Sequence, residues 1–117
     1  MAGDEEILKA AYVAFNERDL DAAIGLMHPD VDWANAWEGG RVRGRSAVRE
    51  YWERQFEAIS SQVEPEGFFE EADGGVTVDV HQTVRDARTG ELLTDSRARH
   101  RYRLEDGLIV RMDVLEP

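Results

Sequence analysis

Between Thr94 and Leu104 the chain sets Ser96, Ala98, His100, Tyr102 and Leu104 alternately with Arg97, Arg99, Arg101 and Arg103. In a β-strand successive side chains leave on opposite faces, so these two sets separate on folding. Guanidinium groups demand water or counter-ions and take the outer face. His100 and Tyr102 are thereby turned inward. An imidazole two residues from a phenol joins a group that titrates near neutral pH to a hydroxyl able to donate or accept. That pairing suits acid–base chemistry or polar ligand recognition.

The same parity rule sorts the neighbouring segments. Val76, Val78, Val80, Gln82 and Val84 face in, leaving Asp79 and His81 outside. Near the end, Leu108, Val110, Met112 and Val114 face in, leaving Ile109, Arg111, Asp113 and Leu115 outside. Earlier, Val31, Trp33, Asn35 and Trp37 share one side. The inner set is mostly apolar, interrupted by Asn35, Gln82, His100 and Tyr102, and Trp33, Asn35, His100 and Tyr102 are predicted to line one cavity. A few convergent polar groups in an apolar concavity describe a small-molecule site. Each of them taken singly could instead satisfy another, or a buried water.

Other chemistries lack their residues. The chain has no cysteine, which excludes disulfides, thiolate nucleophiles and cysteine-based metal centres. His28, His81 and His100 fall on different faces without a His-x-x-x-His or matching carboxylate spacing, so no metal is expected. Gly39-Gly40-Arg41-Val42-Arg43-Gly44 has neither the lysine nor the context of a phosphate loop, and no Gly-x-Ser-x-Gly motif occurs. The outward arginines share their face with Asp79 and Asp113, and cross-strand pairing is their expected use. A formal charge of −11 repels nucleic acid and anionic lipid, and no apolar run approaches a bilayer span, so neither nucleic acid nor a membrane is an expected partner. Met1-Ala2-Gly3 runs into Asp4-Glu5-Glu6 without the features of a signal peptide; the expected location is cytoplasmic.

Positioning the inward side chains takes one domain over residues 1–117. Ile7, Leu8, Ala11, Tyr12 and Phe15 recur at helical spacing and predict a helix from Asp4 to Arg18. Asp19 can cap a second helix bearing Leu20, Ala23, Ile24 and Met27, which His28-Pro29-Asp30 ends. A strand follows over Val31–Trp37, then a glycine-rich loop to Gly44. Ser46 is placed as the cap of a third helix with Val48, Tyr51, Trp52, Phe56 and Ile59 on its buried stripe, ending near Ser60 or Ser61. Strands over Gln62–Ala72, Gly75–Asp86, Leu92–Leu104 and Leu108–Leu115 complete the chain, joined by hairpin turns. Three helices followed by antiparallel strands predict an α+β fold, with the helices packed on one face of a strongly curved, mostly antiparallel sheet.

The stretches Asn16-Glu17-Arg18-Asp19-Leu20-Asp21-Ala22, Met27-His28-Pro29-Asp30-Val31-Asp32-Trp33 and Gly44-Arg45-Ser46-Ala47-Val48-Arg49-Glu50-Tyr51-Trp52, with the closing Glu105-Asp106-Gly107-Leu108-Ile109, resemble the nuclear transport factor 2-like superfamily, in particular its SnoaL-like and ketosteroid isomerase-like members. The resemblance implies a cone with an internal pocket and a cofactor-independent cyclase, isomerase or hydratase acting on a small apolar carbonyl compound. It places Asn35 where isomerase members carry an aspartate base, and Ala11 rather than Tyr12 at their tyrosine. It places His100 near the acid of their oxyanion hole. The roles that follow are acid–base work for His100, carbonyl orientation for Asn35 and hydrogen-bond donation by Tyr102 or Tyr12. Trp33, Trp37, Trp52 and Phe56 would form an aromatic wall, with Gln82 beside them. The alternative is a non-catalytic ligand-binding or dimerisation module. A homodimer across the outer sheet face is expected in either case.

Overall fold

The computed structural model describes residues 3–115. Helices α1 (Asp4–Asn16) and α2 (Leu20–Gly25) precede strands β1 (Met27–Ala34) and β2 (Arg41–Arg43). Helix α3 (Arg45–Ala58) leads into β3 (Ile59–Glu70), β4 (Val76–Asp86), β5 (Leu92–Glu105) and β6 (Leu108–Leu115). The six strands form one sheet in the order β2-β1-β6-β5-β4-β3, antiparallel throughout except where β1 runs parallel to β6. Register shifts in β1 and β3 and at the β4–β5 and β5–β6 pairings mark bulges, and bulges bend a sheet. The curved sheet is not closed, and the three helices cover one face, as the apolar spacing predicted.

Leu8 of α1, Val48 of α3, Val78 and Val80 of β4 and Ile109 of β6 are completely buried between the layers. Each such side chain contributes on the order of 1.5–3 kcal/mol through removal from water. Gly75 fixes how the β3–β4 turn meets β5, because a Cβ there would lie 2.9 Å from the Tyr102 carbonyl oxygen. No helix among the described residues is long and apolar enough to cross a membrane.

Several boundaries differ from expectation. Helix α2 stops at Gly25, and Met27 opens β1 instead of closing the helix. The Ile109 N–H donates to the Leu26 carbonyl (3.0 Å), so pairing with β6 captures this stretch before the His-Pro step can act as a helix stop. Arg41–Arg43, expected as loop, pairs with β1 through Asp32↔Arg43 and Ala34↔Arg41. Helix α3 is preceded by Gly44 at φ 91° rather than capped by Ser46, and it ends at Ala58 because β3 begins early. On β6 a bulge aligns Arg103 with Arg111 but Leu104 with Ile109. Strict alternation put Ile109 outside; the extra residue turns it into the core.

The outer face is a lattice of ion pairs. Arg97 bonds Glu66 (2.8 Å), Arg99 bonds Asp79 (2.8 Å), and Arg103 bonds Asp73 (3.2 Å). Asp32 accepts from Arg41, Arg43 and Arg111. Those arginines keep its carboxyl below the usual carboxylate range. His81 faces outward, as its parity required, and meets Asp95 at 2.5 Å.

Candidate functional site

Between the helices and the inner sheet face lies a cavity of about 100 Å³. Its wall is mainly apolar and is drawn from α1 (Ala11, Tyr12, Phe15), α3 (Tyr51, Trp52, Gln55) and the inner face of the sheet. Trp33 packs edge-on to Trp52 with ring centroids 5.5 Å apart and lies 6.2 Å from Tyr102, so three elements meet in one aromatic corner. Val114, on the inner side of β6 opposite His100, is 39% exposed and marks where the cavity approaches solvent.

His100 reaches this cavity because β5 keeps regular register with both β4 and β6 from Arg99 to Tyr102, which preserves the alternation of its side chains. Its Nδ1 lies 2.8 Å from the Tyr12 hydroxyl, and the Tyr102 hydroxyl lies 2.9 Å from that same oxygen. The rings reinforce this geometry. Tyr12 stacks nearly parallel to His100 at 12°, while Tyr102 stands edge-on to both. Burial lowers the His100 pKa to about 4, since the surrounding side chains cannot solvate an imidazolium. Burial likewise pushes both phenols upward. At neutral pH the three groups are uncharged and linked in a single hydrogen-bonded chain.

Gln82 lines the cavity with its amide nitrogen donating to the Ser61 hydroxyl (3.0 Å), which leaves its carbonyl oxygen available. Gln55, not among the expected site residues, also lies on the cavity wall. Its signal was present. Val48, Tyr51, Trp52 and Gln55 are the buried positions of α3, and a glutamine at the helical spacing of an otherwise apolar stripe marks a polar group directed inward. Phe56, assigned to that stripe instead, sits one residue further round. The hydroxyl of Tyr51 accepts weakly from the Trp37 N–H at 3.4 Å.

Of the residues singled out from sequence, Tyr12, Trp33, Trp52, Gln82, His100 and Tyr102 come together on the cavity wall. Asn35, Trp37 and Phe56 do not. Asn35 follows the end of β1 at Ala34 and is buried, 5% exposed, as its parity predicted, but its side chain turns toward its own loop rather than the cavity. The Asn35 side-chain oxygen accepts from the Glu38 N–H (2.7 Å), and its amide donates to the Glu38 carboxylate (2.9 Å). Both ends of the amide therefore bind Glu38 and staple the loop before β2. Arg54 and Asn35 together hold the Glu38 carboxyl down at about 2. Trp37 rides on the same loop and is 40% exposed. Phe56 packs against Phe15 and lies under the Arg18 guanidinium, 4.2 Å from its ring centre, which uses the ring as helix–helix packing. No cluster of His, Asp and Glu side chains able to hold a metal occurs among the described residues.

The same architecture occurs in solved structures. A nuclear transport factor 2-like protein of Burkholderia pseudomallei superposes with a TM-score of 0.85 at 22% identity, covering 100% of this chain and 92% of that one. TerC, co-crystallised with polyporic acid, matches with a TM-score of 0.83 at 24% identity over 97% of this chain and 91% of its own. A Mycobacterium tuberculosis protein in complex with estradiol-17β-hemisuccinate matches with a TM-score of 0.79 at 18% identity, over 92% and 88% of the two chains. At these identities the likeness is one of fold. A search of curated protein sequences returned no match. The SnoaL-like domain model matches residues 8–112, nearly the whole described chain and every element that builds the cavity, and the chain belongs to the SnoaL-like family.

Proposed function

We propose that this protein binds a small, largely apolar carbonyl compound in the cavity between its helices and sheet, without a metal or organic cofactor. The observation that carries the reading is the cavity itself: an aromatic and aliphatic wall interrupted by an imidazole that two phenols hold in place. The complexes of two fold relatives with polyporic acid and with estradiol-17β-hemisuccinate support it. Trp33 and Trp52 lie on the wall, so binding should be visible in tryptophan fluorescence. Titration with a panel of aromatic ketones is expected to give a saturable change that Ala11→Phe, which fills the cavity, removes while the variant still melts cooperatively. A panel without any saturable change refutes the reading.

In its catalytic form the reading is an isomerase, cyclase or hydratase in which His100 meets the reacting group. Its activity should then fall about a hundredfold or more in His100→Gln with little loss of stability. A specific observation favours simple binding over turnover. No carboxylate lines the cavity among the described residues, and an imidazole at about 4 is far from the neutral pKa that suits a general base. Asn35 has no part in either form.

A homodimer across the outer sheet face belongs to the same proposal, with cytoplasmic residence. Phe69, on that face and 53% exposed, supports it. Monomer alone at high micromolar concentration in sedimentation would refute the dimer.

A further inference from the structure

The hydrogen-bonded chain behind the cavity has a direction, and that direction decides what the cavity offers a ligand. Tyr102 is 3% exposed, and its hydroxyl has one partner among the described residues, the Tyr12 oxygen. A buried hydroxyl proton without an acceptor is costly, so the Tyr102 O–H donates to Tyr12. The Tyr12 proton then goes to the remaining partner, His100 Nδ1. Nδ1 is thereby an acceptor. In a neutral imidazole the proton must sit on the other nitrogen. Nε2 has no hydrogen-bond partner among the described residues, yet no buried side-chain nitrogen or oxygen lacks one, so Nε2 is an accessible atom of a cavity-lining ring.

We infer that His100 presents a neutral Nε2–H donor to the cavity, locked in that tautomer by Tyr12 and Tyr102, and that the ligand it takes carries an accepting oxygen, such as a ring ketone, at that point. This rests on the ligand-binding reading and narrows its chemistry. Reversing the chain, with Nδ1–H donating to Tyr12 and Tyr12 to Tyr102, would leave the Tyr102 proton stranded in the core. Nε2 would become a base only in that unfavourable state. Burial of the ring, which keeps it uncharged at neutral pH, works in the same sense. Donation from one phenol to the next polarises the imidazole, so the Nε2–H is suited to a carbonyl oxygen or to an oxyanion developing from it. Tyr12 and Tyr102 are positioning residues here: they act through the histidine.

Two measurements test this independently of each other. Long-range proton–nitrogen correlation of the histidine rings at pH 7, with His100 assigned by its loss in His100→Gln, should show Nδ1 unprotonated and Nε2 protonated. In Tyr12→Phe the Nδ1–H tautomer should become populated. An Nδ1–H tautomer or an imidazolium in the unsubstituted protein overturns the inference. The second measurement compares acetophenone with ethylbenzene, which have similar size but only one of which has an accepting oxygen. Acetophenone should bind about tenfold more tightly, the scale of one added hydrogen bond, and Tyr12→Phe should shrink that preference. Equal binding of the two probes overturns the assigned ligand chemistry. Binding of neither, with Nε2–H intact, refutes the ligand-binding reading while leaving the tautomer assignment standing.

Discussion

Strand β5 carries two kinds of electrostatics on its two sides. Outward, Arg97, Arg99 and Arg103 each meet a carboxylate at the surface. Inward, His100 and Tyr102 join Tyr12 in a chain from which charge is excluded by burial. The difference lies in solvent. At the surface, water screens each pair and dilutes its worth, whereas within the core an unpaired proton or lone pair keeps its full cost. Polar groups inside are consequently few, connected and directional; those outside are many and nearly interchangeable.

The sharpest test of that contrast is pH. An imidazole titrates near 6.5 when free and at about 4 in the folded protein. Above pH 6.5 the site is neutral in both states, and its full contribution to stability is present. As pH falls from 6.5 toward 4 the unfolded chain takes up the proton first, and up to about 3 kcal/mol is lost. Unfolding free energies measured across that window should show this slope in the parent and not in His100→Gln. Parallel curves would mean that His100 is solvated like a surface group.

Packing is the next largest effect. Val78 is completely buried opposite His100, and Asp79 beside it points outward to Arg99. Val78→Ala should destabilise by about 2 kcal/mol in chemical denaturation, through lost transfer and the cavity left behind. Asp79→Asn should cost under about 1 kcal/mol, and less at high salt. Similar losses at the two positions would erase the distinction between the faces. Between these lies Tyr102→Phe, expected to cost about 1 kcal/mol because one buried hydrogen bond disappears with its donor. A loss several times larger would show that the three-membered chain behaves as one cooperative unit.

Parity on the long strands made much of this legible beforehand. Val76, Val78, Val80, His100, Tyr102 and Met112 lie where alternation put them, since regular ladders preserve alternation. Alternation failed where the ladder does. The bulge facing Arg103 and Leu104 turned Ile109 inward, and past the end of β1 at Ala34 Trp37 is left exposed while Asn35, buried as alternation predicted, bonds Glu38 of its own loop. The short strand β2 carried too few residues to show a period, and only its partner β1 makes it a strand. Gln55 was visible in principle but hidden by the aromatic ring beside it in sequence.

By itself the sequence determined the class of the molecule: apolar spacing demanded three helices and a sheet, the lack of cysteine removed thiol chemistry, and the Arg-x-Arg-x-Arg alternation aimed His100 at the interior. These are local or compositional properties, readable wherever the backbone is regular. Tertiary structure decided which polar side chains meet. Tyr12 and His100 are 88 positions apart, and Tyr12 and Tyr102 are 90, so no local pattern could join them. The same packing gave the Asn35 amide to its own loop and withheld it from the cavity. A hydrogen bond forms between groups that the fold brings within about 3 Å, and that distance is a property of the packed layers rather than of either residue.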